Sequence, residues 1–249
     1  MKAFRTLHAA GDALIVADHA GTSVPPQVDL GLSDEEMRRH IAVDIGIAAL
    51  TEQVAKLIHA RAVLATLSRL VVDPNRSLDE PGLIPQISDG TSVPGNRAMN
   101  EAEREARIAF HQSYHAEIER LIAERRPALL VSLHSFTQSL KTDPEVQRPW
   151  DAGLLYNEDD TTAQIGIDFL RAEGLTVGDN QPYSGALTGY TIIRHAENNA
   201  IPSLFLEVRN DHLQDDDSIE IWADRVARLI RHTQKVLQND GTTEGKTAP

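Results

Sequence analysis

Four short apolar runs constrain the fold of this chain more than any other feature of its sequence. They are ALIVA at 13–17, AVLATL at 62–67, ALLVSL at 128–133 and SLFLEV at 203–208. Runs of this length, with little polar alternation, are typical of strands that are buried on both faces of a sheet. Segments long enough to form helices separate them. Such alternation predicts an α/β fold, a three-layer α/β/α sandwich around a mostly parallel or mixed central sheet.

Helical patterns fill the intervals between these runs, and two shorter strand candidates lie at 153–156 and 175–178. The predicted helices span 34–59, with a break near 44–46, and then 100–125, 160–173, 188–199 and 215–238. The stretch from 68 to 95 is instead rich in Pro, Gly, Asp and Ser, and long loops of this kind are usually functional. We therefore predict a single α/β domain over 1–238, followed by a polar tail at 239–249 that we expect to be disordered.

Charge and composition exclude several classes of function. The formal net charge is −13 and the chain has no long basic run, so we expect no binding to nucleic acid or to an anionic membrane. Because no run of 18 apolar residues occurs and the first residues lack a long apolar region, we predict a cytoplasmic protein without a signal peptide or membrane span. The absence of cysteine excludes disulfides, thiolate metal ligands and a cysteine nucleophile.

Chemically useful side chains lie at the ends of three of the four apolar runs. His19 follows the first run, His134 follows the third, and Glu207 lies near the end of the fourth. Ligands of open α/β sheets bind beyond the carboxyl ends of the strands, so these groups should converge on one crevice. Two imidazoles and one carboxylate are the usual protein ligands of a catalytic zinc ion, and other divalent transition metals accept the same ligands. The carboxylate ligand is Asp44, which we favour, or Asp18.

A further carboxylate outside the metal ligands can act as a general base, because zinc lowers the pKa of bound water from about 15.7 toward about 7. Glu207 suits this role since a strand would hold it rigidly, and such a base distinguishes an enzyme from a metal-binding protein without catalysis. A serine hydrolase using Ser135 or Ser184 is disfavoured because the sequence has no GxSxG elbow. His111 and His115 are predicted to lie on a partly exposed helix face.

A series of short segments between about residues 14 and 211 resembles the N-formylglutamate amidohydrolase family. The segments are DHAGTSVP (18–25), RHIAVDIG (39–46), SRLVVDPNR (68–76), SDGTSVPGN (88–96), YH (114–115), SLHSFT (132–137), RPW (148–150), GDNQPYSG (178–185) and LFLEVRND (204–211). Their number and order make the resemblance specific. The zinc-dependent exopeptidases that are related to this family carry a carboxylate soon after the first histidine. Position 22 of this chain is Thr, so this ligand must come from elsewhere in the chain.

The resemblance implies a fold similar to that of zinc-dependent exopeptidases and a metal-dependent amidohydrolase of amino-acid catabolism. Such an enzyme removes the acyl group, nominally formyl, from an N-acyl amino acid by attack of metal-bound hydroxide. His19 and His134 match the metal-binding histidines of these exopeptidases, and Glu207 matches the glutamate that activates water in them. A related zinc-dependent deacylase, a carboxypeptidase-like hydrolase of another substrate and a non-catalytic metal-binding protein are the alternatives.

The same resemblance assigns the substrate-binding residues. Asn75 and Arg76 match the pair that binds the substrate carboxylate, and Tyr183, in the matching segment 178–185, is predicted to join them. The guanidinium of Arg76 can pair with a carboxylate through two hydrogen bonds, which explains how an acidic protein would bind an anionic substrate. Arg69 is predicted to stabilise the developing oxyanion or a carboxylate.

Overall fold

A computed structural model describes residues 1–244 of the chain, which contain nine strands and seven α-helices. The strands are β1 (Phe4–Leu7), β2 (Ala13–Ala17), β3 (Arg61–Ala65), β4 (Ile87–Ser88), β5 (Thr91–Ser92), β6 (Leu129–Phe136), β7 (Ala152–Leu155), β8 (Val177–Asp179) and β9 (Ser203–Arg209). The helices are α1 (Asp34–Met37), α2 (Ile47–Ile58), α3 (Glu101–Glu124), α4 (Asp160–Ala172), α5 (Gly185–Thr188), α6 (Tyr190–His195) and α7 (Asp216–Glu244). All four apolar runs form strands, as predicted.

Seven of these strands form one mixed sheet in the order β1-β3-β2-β6-β9-β7-β8. The four central strands β3, β2, β6 and β9 are parallel to one another, whereas β1 and β7 are antiparallel to their inner neighbours. The carboxyl ends of the four central strands therefore share one edge of the sheet.

Helices cover both faces of this sheet, which confirms the predicted three-layer architecture. Apolar side chains of α2, α4 and α7 pack with one face of the central strands, and those of α3 and α6 pack with the other. Because both faces are covered, β2, β3, β6 and all but the last residue of β9 are buried. This double burial explains the near absence of polar alternation in the four runs.

The structure departs from the predicted elements at several places. β1 and the β4–β5 hairpin were not predicted, and the segment predicted as a helix over 188–199 is divided among α5, α6 and a final 3₁₀ turn. The helix predicted over 34–59 is interrupted over 38–46, a wider break than the one predicted near 44–46. Gly46, just before α2, adopts a φ of 80°, and a Cβ atom there would collide with Leu213.

At the carboxyl end, α7 continues to Glu244, beyond residue 239 where we predicted the tail to begin. The last predicted tail residues, 245–249, lie outside the described residues. Within the described part of the chain, none of the helices combines the length and apolar character that a membrane crossing requires.

Candidate active site

A cleft of about 350 Å³ opens at the carboxyl ends of the central strands. Residues 88–90 of the β4–β5 hairpin and residues 137–142 after β6 contribute to its outer wall, and residues of the central strands form its floor. Asp18, the alternative carboxylate ligand, does not line this cleft, whereas eight other side chains that sequence analysis proposed for the site do: His19, Asp44, Arg69, Asn75, Arg76, His134, Tyr183 and Glu207. The structure thus brings together residues that are up to 188 positions apart in the sequence.

Strand pairing places His134 beside Glu207. The two residues are direct partners in the parallel β6–β9 ladder, so their side chains project from the same face of the sheet. β6 extends to Phe136, and His134 therefore lies inside the strand rather than beyond its end, where the sequence had predicted it. A residue inside a central strand is held more rigidly than one in a loop, because both neighbouring strands fix its backbone.

Asp44 lies between the two histidines of the site. Its backbone N–H donates to the carbonyl of His19 at 3.0 Å, which fixes the chain at this point. Its Oδ2 lies 2.9 Å from Nδ1 of His134 and 3.4 Å from Nδ1 of His19. All three side chains are buried, and their potential ligand atoms lie within 4.8 Å of one another. This His-Asp-His group could hold a metal ion.

The opposite ring nitrogen of each histidine faces another buried carboxylate. Nε2 of His19 lies 2.7 Å from Oδ1 of Asp73, and Nε2 of His134 lies 3.2 Å from Oδ2 of Asp18. Tyr114 donates its hydroxyl hydrogen to the other oxygen of Asp18 at 2.8 Å. Metal-binding histidines characteristically contact a carboxylate in this way, which orients the ring and leaves the first nitrogen for the metal.

This arrangement distinguishes between the two carboxylates that sequence analysis considered as the metal ligand. Asp44 lies between the Nδ1 atoms of both histidines, whereas Asp18 lies behind one of them. Asp73 was not predicted as a partner of His19. Its only signal in the sequence is an acidic residue between an apolar pair and a proline, in VVDP, and this signal does not identify the histidine that it contacts.

The carboxylates of the group favour positive charge between them. Burial lowers the pKa of His134, but Asp18 and Asp44 more than offset this and raise the pKa to about 10. Burial raises the pKa of Asp44, yet His19 and His134 hold it below its ordinary value. Three buried aspartates thus surround two imidazoles, and a bound cation would satisfy the same carboxylates.

Arg69 binds two of these aspartates. One of its terminal nitrogens donates to Asp73 at 2.8 Å, and the other lies 3.4 Å from Asp44. Burial lowers the pKa of this guanidinium, but Asp73 and Asp44 raise it above its ordinary value. The side chain also lines the cleft.

Glu207 differs from every aspartate of the site because it has no strong partner. Its Oε2 is buried and makes no hydrogen bond to any described residue. Burial raises the pKa of this carboxyl to about 7, although the nearby positive charge of His134 lowers it. A carboxyl with this pKa exchanges its proton near neutral pH, as a general base must.

The two residues predicted to bind the substrate carboxylate are placed differently. Both ends of the Asn75 amide bind backbone: Nδ2 donates to the carbonyl of Thr188 at 2.7 Å, and Oδ1 accepts from the N–H of Thr191 at 3.0 Å. Arg76 donates to the carbonyl of Leu187 at 3.2 Å and keeps 23% of its side chain exposed. Asn75 therefore anchors the loop, and Arg76 extends from that anchor to the wall of the cleft.

A second group of histidines lies behind the same loop. His111 and His115 are buried, not partly exposed as predicted. Their Nε2 atoms lie 2.9 Å from the carbonyl oxygens of Arg76 and Pro74, respectively, and Nδ1 of His115 lies 2.7 Å from Nε2 of His195. Because carbonyl oxygens only accept, both α3 histidines donate from Nε2.

The family model of N-formylglutamate amidohydrolase matches residues 11–213. The chain belongs to the N-formylglutamate amidohydrolase family. The matched range contains every residue proposed for the site, and α7 lies outside it. Family membership identifies the protein as a hydrolase of amide bonds, with a small amino-acid derivative as its class of substrate.

Two solved structures are similar over almost the whole length of this family member. A gene product of Agrobacterium tumefaciens is 29% identical, with a TM-score of 0.90, over 96% of this chain and 97% of that chain. An N-formylglutamate amidohydrolase of Ralstonia eutropha JMP134 is 22% identical, with a TM-score of 0.74, over 96% of this chain and 98% of that chain. At this identity the second likeness concerns the fold. No match is found among curated proteins.

Proposed function

We propose that this chain is a metal-dependent amidohydrolase that removes a formyl or other small acyl group from an N-acyl amino acid. One observation carries the proposal: the buried His19–Asp44–His134 group lies in one cleft with Glu207, the strand partner of His134. A metal-binding protein without catalysis does not need a buried carboxylate with an unpartnered oxygen at that position. The family supports the hydrolysis of an amide, and the nature of the acyl group belongs to the proposal.

The donor set fits a divalent transition metal. His19, Asp44 and His134 supply two nitrogens and one oxygen, and a carboxylate behind each ring fixes its orientation. We favour zinc, and nitrogen and oxygen ligands also suit other divalent transition metals. When bound, such an ion supplies Lewis acidity, which makes water a better nucleophile near neutral pH and polarises a carbonyl group.

Glu207 moves the proton in this proposal. Its unpartnered oxygen accepts a proton from the water whose oxygen attacks the acyl carbon. When the carbon–nitrogen bond breaks, the same carboxyl returns the proton to the leaving amine. For a formyl substrate the products are formic acid and the free amine of the amino acid, which ionise to formate and an ammonium group, and Glu207 ends the cycle ionised. The raised pKa of Glu207, about 7, suits both transfers.

Arg76 binds the substrate carboxylate in this proposal, and Asn75 positions it. The fork of a guanidinium matches a carboxylate, and the exposed part of Arg76 lines the cleft. Asn75 contributes by fixing the loop backbone through Thr188 and Thr191. Arg69 serves chiefly to hold Asp44 and Asp73, and its predicted action on an oxyanion remains a prediction.

The decisive experiment measures metal stoichiometry and turnover on the same preparation. Zinc-reconstituted protein is assayed against formyl, acetyl and succinyl derivatives of several amino acids, before and after exhaustive chelation. We expect hydrolysis of at least one derivative and its loss on chelation. Glu207→Gln, which keeps the shape but removes the basicity, should retain the metal and lower kcat about 10²-fold or more.

Glu173→Gln is the matched control, since Glu173 forms ion pairs with Arg225 and Arg228 on another part of the surface. It should leave metal and turnover unchanged. Full activity after verified metal removal would contradict the metal dependence. A Glu207→Gln protein that loses its metal would make Glu207 a ligand, and one with normal kcat would mean that another residue is the base.

A further inference from the structure

Arg148 is a buried cation with an unusual set of partners. It is 9% exposed, and its side chain donates to the Tyr183 hydroxyl at 2.8 Å and to the carbonyl of Thr137 at 3.3 Å. Its guanidinium carbon also lies 4.8 Å from the centroid of the Tyr183 ring. Among the described residues no carboxylate lies within ion-pair distance of it. Burying a charge costs free energy unless a partner compensates it. The hydroxyl and ring of Tyr183 are the main side-chain partner that this buried guanidinium has.

The contact fixes what the Tyr183 hydroxyl can do. A guanidinium has donors and no acceptor, so the tyrosine oxygen must accept from Arg148. The hydroxyl hydrogen is then free to donate to another group, and Tyr183 lines the cleft. Burial and the charge of Glu207 raise the pKa of Tyr183, so the phenol keeps its hydrogen at neutral pH. The cleft wall thus carries a hydroxyl that offers a hydrogen.

Backbone packing places the loop that carries Tyr183 beside the proposed base. Gly153 is the direct partner of Glu207 in the antiparallel β7–β9 ladder. The carbonyl of Gln181 packs so closely on Gly153 that a Cβ atom would collide with it. The loop that carries Tyr183 therefore lies directly over the strand position beside Glu207. Asn180 also fixes this loop, because its Oδ1 accepts from the backbone N–H of Gly185 at 2.9 Å.

Arg69 is the other candidate donor to the reacting carbonyl. Both of its terminal nitrogens face buried aspartates, Asp44 and Asp73. Arg69 thus shares its charge with two carboxylates, whereas the Tyr183 hydroxyl hydrogen has no acceptor and no acidic partner among the described residues. A general base and an oxyanion donor must both reach the same carbonyl, and Tyr183 lines the same cleft as Glu207 with this hydrogen left to donate.

We infer that Tyr183 is a catalytic residue that donates a hydrogen bond to the oxygen of the scissile acyl carbonyl, and that Arg148 is its positioning residue. The inference rests on the proposed function. As the water oxygen bonds to the acyl carbon, the carbonyl electron pair moves to the oxygen, and the Tyr183 hydroxyl stabilises that charge without giving up its proton. When the electron pair re-forms the carbonyl and the amine leaves, the hydrogen bond weakens again. Arg148 keeps the hydroxyl hydrogen directed into the cleft.

Tyr183→Phe tests the first half of the inference. Removing one oxyanion donor typically lowers kcat by about 10²–10³-fold. We expect a loss of this size, with KM changed less than about threefold and metal content unchanged. Tyr156→Phe is the matched control, because the Tyr156 hydroxyl bonds the surface residue Asp179 and does not line the cleft.

A double-mutant cycle tests the second half. Arg148→Met should lower kcat in the wild-type background and have little further effect in the Tyr183→Phe background, because Arg148 acts through that hydroxyl. Arg148→Lys keeps a cationic donor and should recover part of the loss. An additive effect of Arg148→Met would overturn the positioning role and leave Arg148 purely structural.

Two other outcomes would overturn the role of Tyr183. A normal kcat in Tyr183→Phe would remove it from catalysis. A raised KM at normal kcat, seen only with substrates that carry a second carboxylate, would make it a carboxylate ligand. Failure of the proposed function is distinct from both outcomes, because the wild-type protein itself would then hydrolyse none of the N-acyl amino acids. That result would also contradict the inference about Tyr183.

Discussion

Two groups of buried histidines lie close together in this protein and behave in opposite ways. His19 and His134 contact carboxylates on both ring nitrogens. His115 instead contacts a backbone carbonyl and another histidine, His195. Burial lowers the pKa of all of them, but the carboxylates raise that of His134 to about 10, whereas that of His115 falls to about 2. The partners of a buried histidine, and not its burial alone, decide its charge.

This difference in contact partners corresponds to two different roles. The His19 and His134 rings present Nδ1 atoms to a shared carboxylate, an arrangement that suits a cation. The α3 histidines remain neutral and use Nε2 to hold the carbonyls of Pro74 and Arg76, on either side of Asn75. The second group is therefore a support for the loop that carries Arg76. Substitutions in one group of histidines, with matched substitutions in the other, test whether the two groups have these separate roles.

The largest effect is expected from His134→Ala, compared with His195→Ala as its matched control. Zinc sites with four ligands bind with about 10–16 kcal/mol, or about 3–4 kcal/mol for each ligand, so loss of one should weaken metal binding by about 10²–10³-fold. His195→Ala should retain stoichiometric metal. Metal content and competition with a chelator measure both. Equal metal loss in the two variants would contradict the claim that only the group of His19 and His134 binds the metal. Retention of the metal in both variants would mean that the metal binds elsewhere.

A smaller effect is expected from Asp18→Asn, which removes the carboxylate that faces Nε2 of His134. Loss of the carboxylate that orients a metal-binding histidine typically costs about 10–100-fold in metal affinity. Asp79→Asn, an exposed change whose carboxylate bonds only local groups such as Ser77, serves as the control. We expect the metal affinity to fall in the first variant alone, as measured by chelator competition. Unchanged affinity in Asp18→Asn would mean that Asp18 only stabilises the fold.

The smallest effect, counted for each pH unit, is a pH dependence of stability in the metal-free protein, with opposite signs for the two groups. The pKa of His134 is raised in the folded state, so its contribution is full below about pH 6.5 and is lost as the pH rises toward about 10. The pKa of His115 is lowered, so its contribution is full above about pH 6.5 and declines as the pH falls. One titrating group changes the free energy of unfolding by at most about 1.4 kcal/mol per pH unit.

Urea unfolding of chelated wild type, His134→Gln and His115→Gln between pH 5 and 9 measures both contributions. The advantage of the wild type over His134→Gln should shrink above pH 6.5. Its advantage over His115→Gln should shrink below pH 6.5. Parallel curves at all pH values would show that neither ring changes its charge on folding.

The parts of this structure that the sequence predicts are those with a strong local pattern. Each of the four apolar runs forms a central strand because burial on both faces leaves an uninterrupted apolar stretch. β1, by contrast, is a half-buried edge strand of four residues, and β4 and β5 have two residues each, too few to show a period. Fold class and layers were therefore predictable, and the small additions at the edges were not.

The same limit applies to the site. Groups at strand ends could be assigned to one cleft, since the edge of a parallel sheet brings them together. The residues that contact these groups from behind could not be assigned from the sequence, because such partners are far apart in the chain. Asp18 and His134 are 116 residues apart, as are Asn75 and Thr191. The pair His111 and His115 illustrates this directly: their spacing is visible in the sequence, while the loop carbonyls that bury and hold them are not.

The position of His134 opposite Glu207 inside two paired strands has a consequence for how such enzymes diversify. A slip of one residue in β6 or β9 would turn one of these side chains to the other face of the sheet, so insertions there abolish the chemistry. The outer wall is built from loops at 88–90 and 137–142, which tolerate changes of length. Changes in these loops would therefore alter the outer wall of the cleft and leave the paired residues His134 and Glu207 in place.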